Sequence, residues 1–340
     1  MRVLSAGRVL GVLAALLALF SGALVIGVLS GPADLSPRQV VSSLLNGEVT
    51  PAVDDIVKKV RVPRVLLAAL VGASLAVAGV LFQALLRNPL ADPYVLGVSG
   101  GAALGGIAAM TLGASLGLAA AAVPLAAFAG AVLATVLLYT IANVRGFVSA
   151  THLLLTGVVF NAFASAGIVF LASIAGFGEG NRIFLWLIGS LSAARVDLAG
   201  WVAAFLVIAL AVAWPAARSL NLLALGEEAA RQLGVDVARQ QRVLLLANSL
   251  LVGAAVSVAG LVGFVGLIVP HLLRLLVGPD HRLLVPAAAL AGAAFLVICD
   301  TAARSLLGAR ELPVGAITAL LGGPLFLLLL RRHHARAFAP

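Results

Sequence analysis

The feature that most limits how this chain can fold is a series of long apolar runs with almost every charge confined to the short segments between them. Runs such as 9–29, 65–86 and 198–214 are at or near the roughly 20 residues a helix needs to cross a hydrocarbon core about 30 Å thick. Strands of a membrane barrel would be about ten residues long with alternating polarity. These runs are longer and apolar on every face. Backbone inside lipid must satisfy its own hydrogen bonds, so the runs read as helices. Composition agrees, with 62% hydrophobic and 10% charged residues, against about 25% charged in a soluble domain.

The predicted spans are 9–29, 64–86, 94–112, 117–142, 151–174, 198–216, 242–260, a short one at 266–277, 284–306 and 314–331. They predict an all-α integral membrane protein of about ten transmembrane helices, one domain over residues 1–340. Residues 30–63 read as the longest loop on one side and 217–241 as the longest on the other. Arg2 and Arg8, the apolar run and Ser30-Gly31-Pro32 resemble a secretory signal. The run exceeds the roughly 7–15 residues of such a core, so an uncleaved first helix is expected. The net charge of +9 sits at helix ends, which fits the positive-inside rule better than nucleic-acid binding. An even number of crossings places both termini together, and the arginine bias places them in the cytoplasm. The single cysteine, Cys299, cannot form an internal disulfide and is expected to be a small buried hydrophobe.

Gly97, Gly101 and Gly105 recur every four residues, a ridge that lets helices approach closely where no hydrophobic effect drives association. Gly97-Val98-Ser99-Gly100-Gly101 also fits a nucleophile elbow, but that motif needs a strand–turn–helix context and a His/acid pair. No G-x-x-x-x-G-K-[ST] loop exists, and neither of the only lysines, Lys58 and Lys59, follows a glycine, so an ordinary phosphate-binding ATPase site is excluded. The histidines show no metal-ligand spacing. Asp300 and Arg304 lie one turn apart and are expected to pair. A secondary carrier would show several membrane-embedded acids or paired broken helices. Residues 227–233 carry two glutamates at one end and Arg231 at the other, with Gly234 next. Those are the signs of a short capped helix, either a solvated loop helix or a docking element. Lys58, Lys59, Arg61 and Arg64 crowd one end of the second span, as interfacial anchors or as a basic rim for acidic protein.

Three stretches together carry a resemblance: Arg61-Val62-Pro63-Arg64; Gln83-Ala84-Leu85-Leu86-Arg87-Asn88-Pro89-Leu90-Ala91-Asp92-Pro93; and Leu96-Gly97-Val98-Ser99-Gly100-Gly101-Ala102. With Gly226–Val235, Gly263–His271 and Glu311–Gly315, they resemble the FecCD-type permeases, membrane subunits of ABC importers for iron-siderophores, haem and vitamin B12. The resemblance covers essentially the whole chain. It implies the ABC type II importer permease fold, working in the inner membrane as a homodimer around a central pathway. It also implies two cytoplasmic ATPase subunits that hold ATP and Mg, an extracytoplasmic substrate-binding protein, and no cofactor or metal on this chain. Glu227, Glu228, Arg231, Gln232, Leu233 and Gly234 would belong to the ATPase-coupling helix. Arg61, Arg64 and Arg304 would form the outer docking surface. Asn88 and Leu90, with Ser149, Ala150 and Thr151, would belong to the inner gate. Ala150 stands where relatives can carry a hydroxyl. Among cargoes, an iron chelate (siderophore or haem) is favoured, with vitamin B12 as the alternative.

Overall fold

The computed structural model describes residues 5–113, 122–144, 147–175, 177–192, 194–308 and 311–337. Among them are fourteen α-helices and one tiny hairpin. The apolar helices come first to account. These are α1 (Ala6–Leu29), α4 (Val62–Leu85), α5 (Val98–Leu112), α6 (Ala122–Ala142), α7 (Ala150–Ile174), α9 (Val196–Leu223), α11 (Val237–Ala259), α12 (Val265–Val277), α13 (His281–Ser305) and α14 (Val314–Ala337). Each predicted run overlaps one of them. Seven helices are long and apolar enough to cross a membrane, and α5, α12 and the Val314–Leu328 part of α14 are shorter apolar helices. The chain is a multi-pass membrane protein. The start predicted at residue 117 lies outside the described residues.

Several edges differ from expectation. α5 begins at Val98 rather than 94, because Gly97 caps it in the left-handed region at φ 82°. α9 runs through Pro215 to Leu223, and α11 starts at Val237, where Asp236 accepts from the Arg239 N–H. The loop expected at 217–241 therefore shrinks to a connection holding only α10 (Glu227–Gln232).

Residues 30–63 are not the open loop expected. Pro37–Leu44 forms α2, opened by Ser36 and Gln39 in a reciprocal capping box. Pro51–Asp55 forms α3 and passes through a π-helical segment, Ile56–Arg61, straight into α4. Pro63 supplies the physical reason for the widened turn, since it has no N–H to continue the ordinary ladder. Val40, Val53 and Val57 bury together under this cap. A further helix, α8 (Phe177–Ile188), was not predicted. It is only 12 residues long and interrupted by glycine, below any spanning length. The strands β1 (Asn143–Val144) and β2 (Phe147–Val148) pair antiparallel just before α7.

α4 is the axis of the fold and packs against α13, α9, α11 and α12. Its backbone touches neighbouring backbone because of two glycines: a Cβ on Gly72 would fall on the Gly292 carbonyl, and one on Gly79 on the Gly266 carbonyl. Cys299 is buried in the same core.

Candidate functional site

At one end of the bundle, three turns converge. α4 ends in a Schellman motif. The Asn88 N–H bonds the Gln83 carbonyl at 3.1 Å, and the Arg87 N–H bonds the Ala84 carbonyl at 3.3 Å. Arg87 takes the left-handed position at φ 49°, where glycine is usual. The Asn88 side chain then accepts from the Leu90 N–H at 2.9 Å, an Asx turn that fixes the Asn88-Pro89-Leu90 corner. Leu90 is exposed. Ser149 precedes α7 as its N-cap, with Ala150 and Thr151 in the first turn, and the Ser149 side chain makes no capping bond. Asp92, deep in the same corner, accepts from the Tyr94 N–H at 2.8 Å. Burial raises its carboxyl to about 6.

The short helix expected at 227–233 is present as α10. It closes with the same motif: Val235 N–H to Ala230 carbonyl at 3.0 Å and Gly234 N–H to Arg231 carbonyl at 2.9 Å, with Gly234 at φ 85°. Its polar side is laced internally. Arg231 lies 3.6 Å from both Glu227 and Glu228, and Gln232 donates to Glu228 at 3.5 Å. Ala230 is buried, while Leu233 is 60% exposed. The contact that sequence reasoning missed is Arg87 to Glu227 at 3.1 Å. It ties the corner after α4 to α10, and Gln241 donates to the same carboxylate at 3.4 Å. No local pattern predicts this pair, because its partners are 140 residues apart.

The opposite end carries the arginines, and there the expectation of an open basic rim is corrected. Arg61, Arg64 and Arg304 do come together, but they point inward and are only 3%, 5% and 2% exposed. Arg61 donates to the carbonyls of Val28 (3.1 Å), Leu29 (2.8 Å) and Ala33 (2.6 Å). Arg304 donates to those of Gly27 and Ser30, both at 3.1 Å. The two guanidiniums thus satisfy carbonyls at the C-terminal end of α1 that a helix leaves unpaired. Arg64 turns elsewhere, to Asp300 at 3.1 Å and Glu311 at 2.8 Å, although helical spacing suggested that it would point with Arg61. The expected Asp300–Arg304 pair is present at 3.0 Å. Glu311, not singled out from sequence, is the partly exposed member of this network. Of the two lysines before α4, Lys58 is half-buried and Lys59 exposed, held by Asp54 (2.9 Å) and Asp55 (2.7 Å) one turn away. Arg310 lies outside the described residues.

The glycine ridge divides by role. Gly101 and Gly105 face α6, where a Cβ would fall on the carbonyls or side chains of Gly130, Ala134 and Ala126. Gly97 is a cap rather than a ridge position, and a Cβ there would stand 2.9 Å from Phe160 on α7. Ser99 is buried inside α5, not on the exposed turn that a nucleophile needs.

The family model described as the FecCD transport family matches residues 16–332. The chain is 48% identical over 282 residues to the cobalamin import system permease protein BtuC of Halobacterium salinarum, covering 83% of this chain and 75% of that one. It is 42% identical over 298 residues to the hemin transport system permease protein HmuU of Yersinia pestis, covering 87% and 89%. Among solved structures, an ABC transporter described as of metal-chelate type, in an inward-facing conformation, aligns with TM-score 0.84 and 31% identity, over 95% of this chain and 99% of that one.

Proposed function

This chain belongs to the FecCD transport family of ABC importer permeases, and we propose that it carries an iron chelate, a siderophore complex or haem, across the inner membrane with both termini in the cytoplasm. The observation that carries the mechanism is α10. It is a short helix closed at its C-terminal end, with an exposed leucine at its tip, and it is bonded through Glu227 to Arg87 at the end of the most buried helix. A chain without a phosphate loop needs force from outside. On this reading two separate ATPase subunits, holding ATP and Mg, seat Glu227, Glu228, Arg231, Gln232, Leu233 and Gly234 in their clefts. Movement of α10 passes through Glu227–Arg87 to the corner at Asn88 and Leu90. With Ser149, Ala150 and Thr151 at the start of α7, that corner serves as the inner gate.

A second copy of the chain completes the pathway. Its support is α7, which buries only Leu153, Gly157 and Ala164 and leaves Ala162, Ser165 and Ala166 exposed, a band small enough for close helix approach. At the other end, a substrate-binding protein docks with acidic residues. Because Arg61, Arg64 and Arg304 are buried and already partnered, an incoming carboxylate gains Arg64 by replacing Glu311, while Arg61 and Arg304 hold the end of α1 in place.

Vitamin B12 is the second reading for the cargo, favoured by the 48% identity to a cobalamin permease. The test is ATP-driven uptake by the chain reconstituted with its ATPase subunits and binding protein, offered labelled ferric siderophore, haemin and cobalamin in turn. Saturable uptake of an iron chelate supports the first reading, and uptake of cobalamin alone replaces it with the second. Leu233→Ala with Arg231→Ala is expected to uncouple hydrolysis from uptake. Unchanged uptake in that variant refutes the coupling role of α10.

A further inference from the structure

At the α10 end of the bundle, the first turn of α1 stands away from the ends of α9, α12 and α13. The crevice between them has a volume of about 600 Å³ and is lined by Arg8, Asn221, Leu225, Leu275, Leu276 and Asp280, among others. Its chemistry is divided. Leu225, Leu275 and Leu276 are 61%, 54% and 75% exposed, apolar surface that gains most from hydrocarbon contact. The charged groups sit at the helix ends, where lipid headgroups lie.

The two charges on the wall differ. Asp280 is bound by the Arg282 guanidinium at 2.6 Å and by the Asn221 amide at 2.8 Å, so its charge is neutralised locally. Arg8 donates one bond, at 2.9 Å, to the carbonyl of Val277 at the end of α12, and forms no ion pair among the described residues. Arg8 is therefore a partly buried cation at a leucine-lined crevice, with no counter-ion among the described residues. A soluble anion would satisfy Arg8 and leave the leucines bare. A neutral lipid would cover the leucines and leave Arg8 without net charge opposite it. A phosphate that carries its own acyl chains answers both, the pattern by which basic pockets between membrane helices recognise anionic headgroups.

We propose that this crevice holds one anionic phospholipid, with its phosphate on Arg8 and its acyl chains along Leu225, Leu275 and Leu276. The lipid fills the gap between α1 and the rest of the bundle beside α10. The site does not depend on the identity of the cargo.

The experiment uses the full-length chain with Gly7→Cys labelled by a fluorophore, a position beside Arg8 with open space around it, since the native Cys299 is buried. It is reconstituted in phosphatidylcholine vesicles that contain a minor fraction of either brominated phosphatidylglycerol or brominated phosphatidylcholine. Brominated phosphatidylglycerol is expected to quench at about fivefold lower content than brominated phosphatidylcholine, the preference one basic residue confers near a charged surface. Arg8→Ala and Arg8→Gln should each abolish the preference, and Arg8→Lys should retain it. Equal quenching by both lipids in the unsubstituted background overturns the proposal, as does an unchanged preference in both neutral variants. Loss of quenching by either lipid once the ATPase subunits are assembled would show that protein covers the crevice, and also overturns it.

Discussion

α4 and α7 are nearly equal in length, 24 and 25 residues, and both are predominantly apolar, yet they occupy opposite situations. In the helix that contains α4, 89% of the apolar window is buried, against 22% in α7. α4 is enclosed by four other helices, with Gly72 and Gly79 pressed against neighbouring carbonyls. α7 has one packed edge. There Gly157 approaches Val95 and Leu96, and Asn161 donates to the Tyr94 carbonyl at 2.6 Å. The difference teaches that apolarity, which separates inside from outside in water, separates nothing in lipid. What separates the two helices is where their small residues find another backbone. In α4 they find it within the chain. In α7 much of the small-residue band is left for a surface outside it.

The largest test of that contrast removes a buried charge from α4. Arg64→Ala leaves Asp300 and Glu311 without their shared partner, and breaking a buried pair costs about 3–5 kcal/mol. Size-exclusion monodispersity and thermal unfolding in detergent should show mostly unfolded protein, and near-wild-type stability would break the view of α4 as the axis. Next comes Gly79→Val, which drives a side chain into the Gly266 carbonyl. The expected loss is about 3 kcal/mol, read by the same unfolding assay.

A third expectation concerns the corner that ends α4. The Asp92 carboxyl lies at about 6 when folded against an ordinary 3.8, so between those values the folded state holds the extra proton. The Asp92 contribution to stability is therefore greatest below about pH 4, declines as pH rises to about 6 and is level above that, a total of about 2–3 kcal/mol. Asp92→Asn should flatten the curve and leave the variant more stable than wild type at pH 7. A slope that survives the substitution assigns the pH dependence elsewhere. The smallest effect is expected on α7. Phe163→Ala, at a position 66% exposed, should change the folding stability of a single chain by no more than about 0.5 kcal/mol. It should still lower uptake in the assembled importer. A folding cost equal to that of Gly79→Val would erase the contrast between the two helices.

The main helices were legible because run length and all-round apolarity are local properties. The caps of α10 were legible for the same reason: glutamates at one end, Arg231 and Gly234 at the other. α8 was not, because 12 residues interrupted by glycine give neither a span nor a clean period. The helices between 30 and 63 were hidden by polar residues that look like loop until Ser36 and Gln39 are seen capping one another. The burial of the arginines was hidden for a different reason. A basic cluster at a helix end has the same sequence whether it faces water or turns onto carbonyls, and the carbonyls that receive Arg61 and Arg304 belong to the end of α1 and the turn after it, about 30 and 275 residues away in sequence.

By itself the sequence determined that this is a polytopic helical membrane protein, without a phosphate loop, with a capped helix between two spans. Each of these follows from residues close together in the chain: the length of an apolar run, the spacing of a motif, the chemistry of a helix end. Only the tertiary structure decided which helix lies at the centre, that Arg87 reaches Glu227, that three arginines are buried against α1 and Asp300, and that Arg8 meets the end of α12 beside a leucine-lined crevice. These are meetings of distant segments. In a chain whose helices are all equally at ease in lipid, their partners are chosen by backbone fit and by the pairing of a few charges, and neither leaves a local mark.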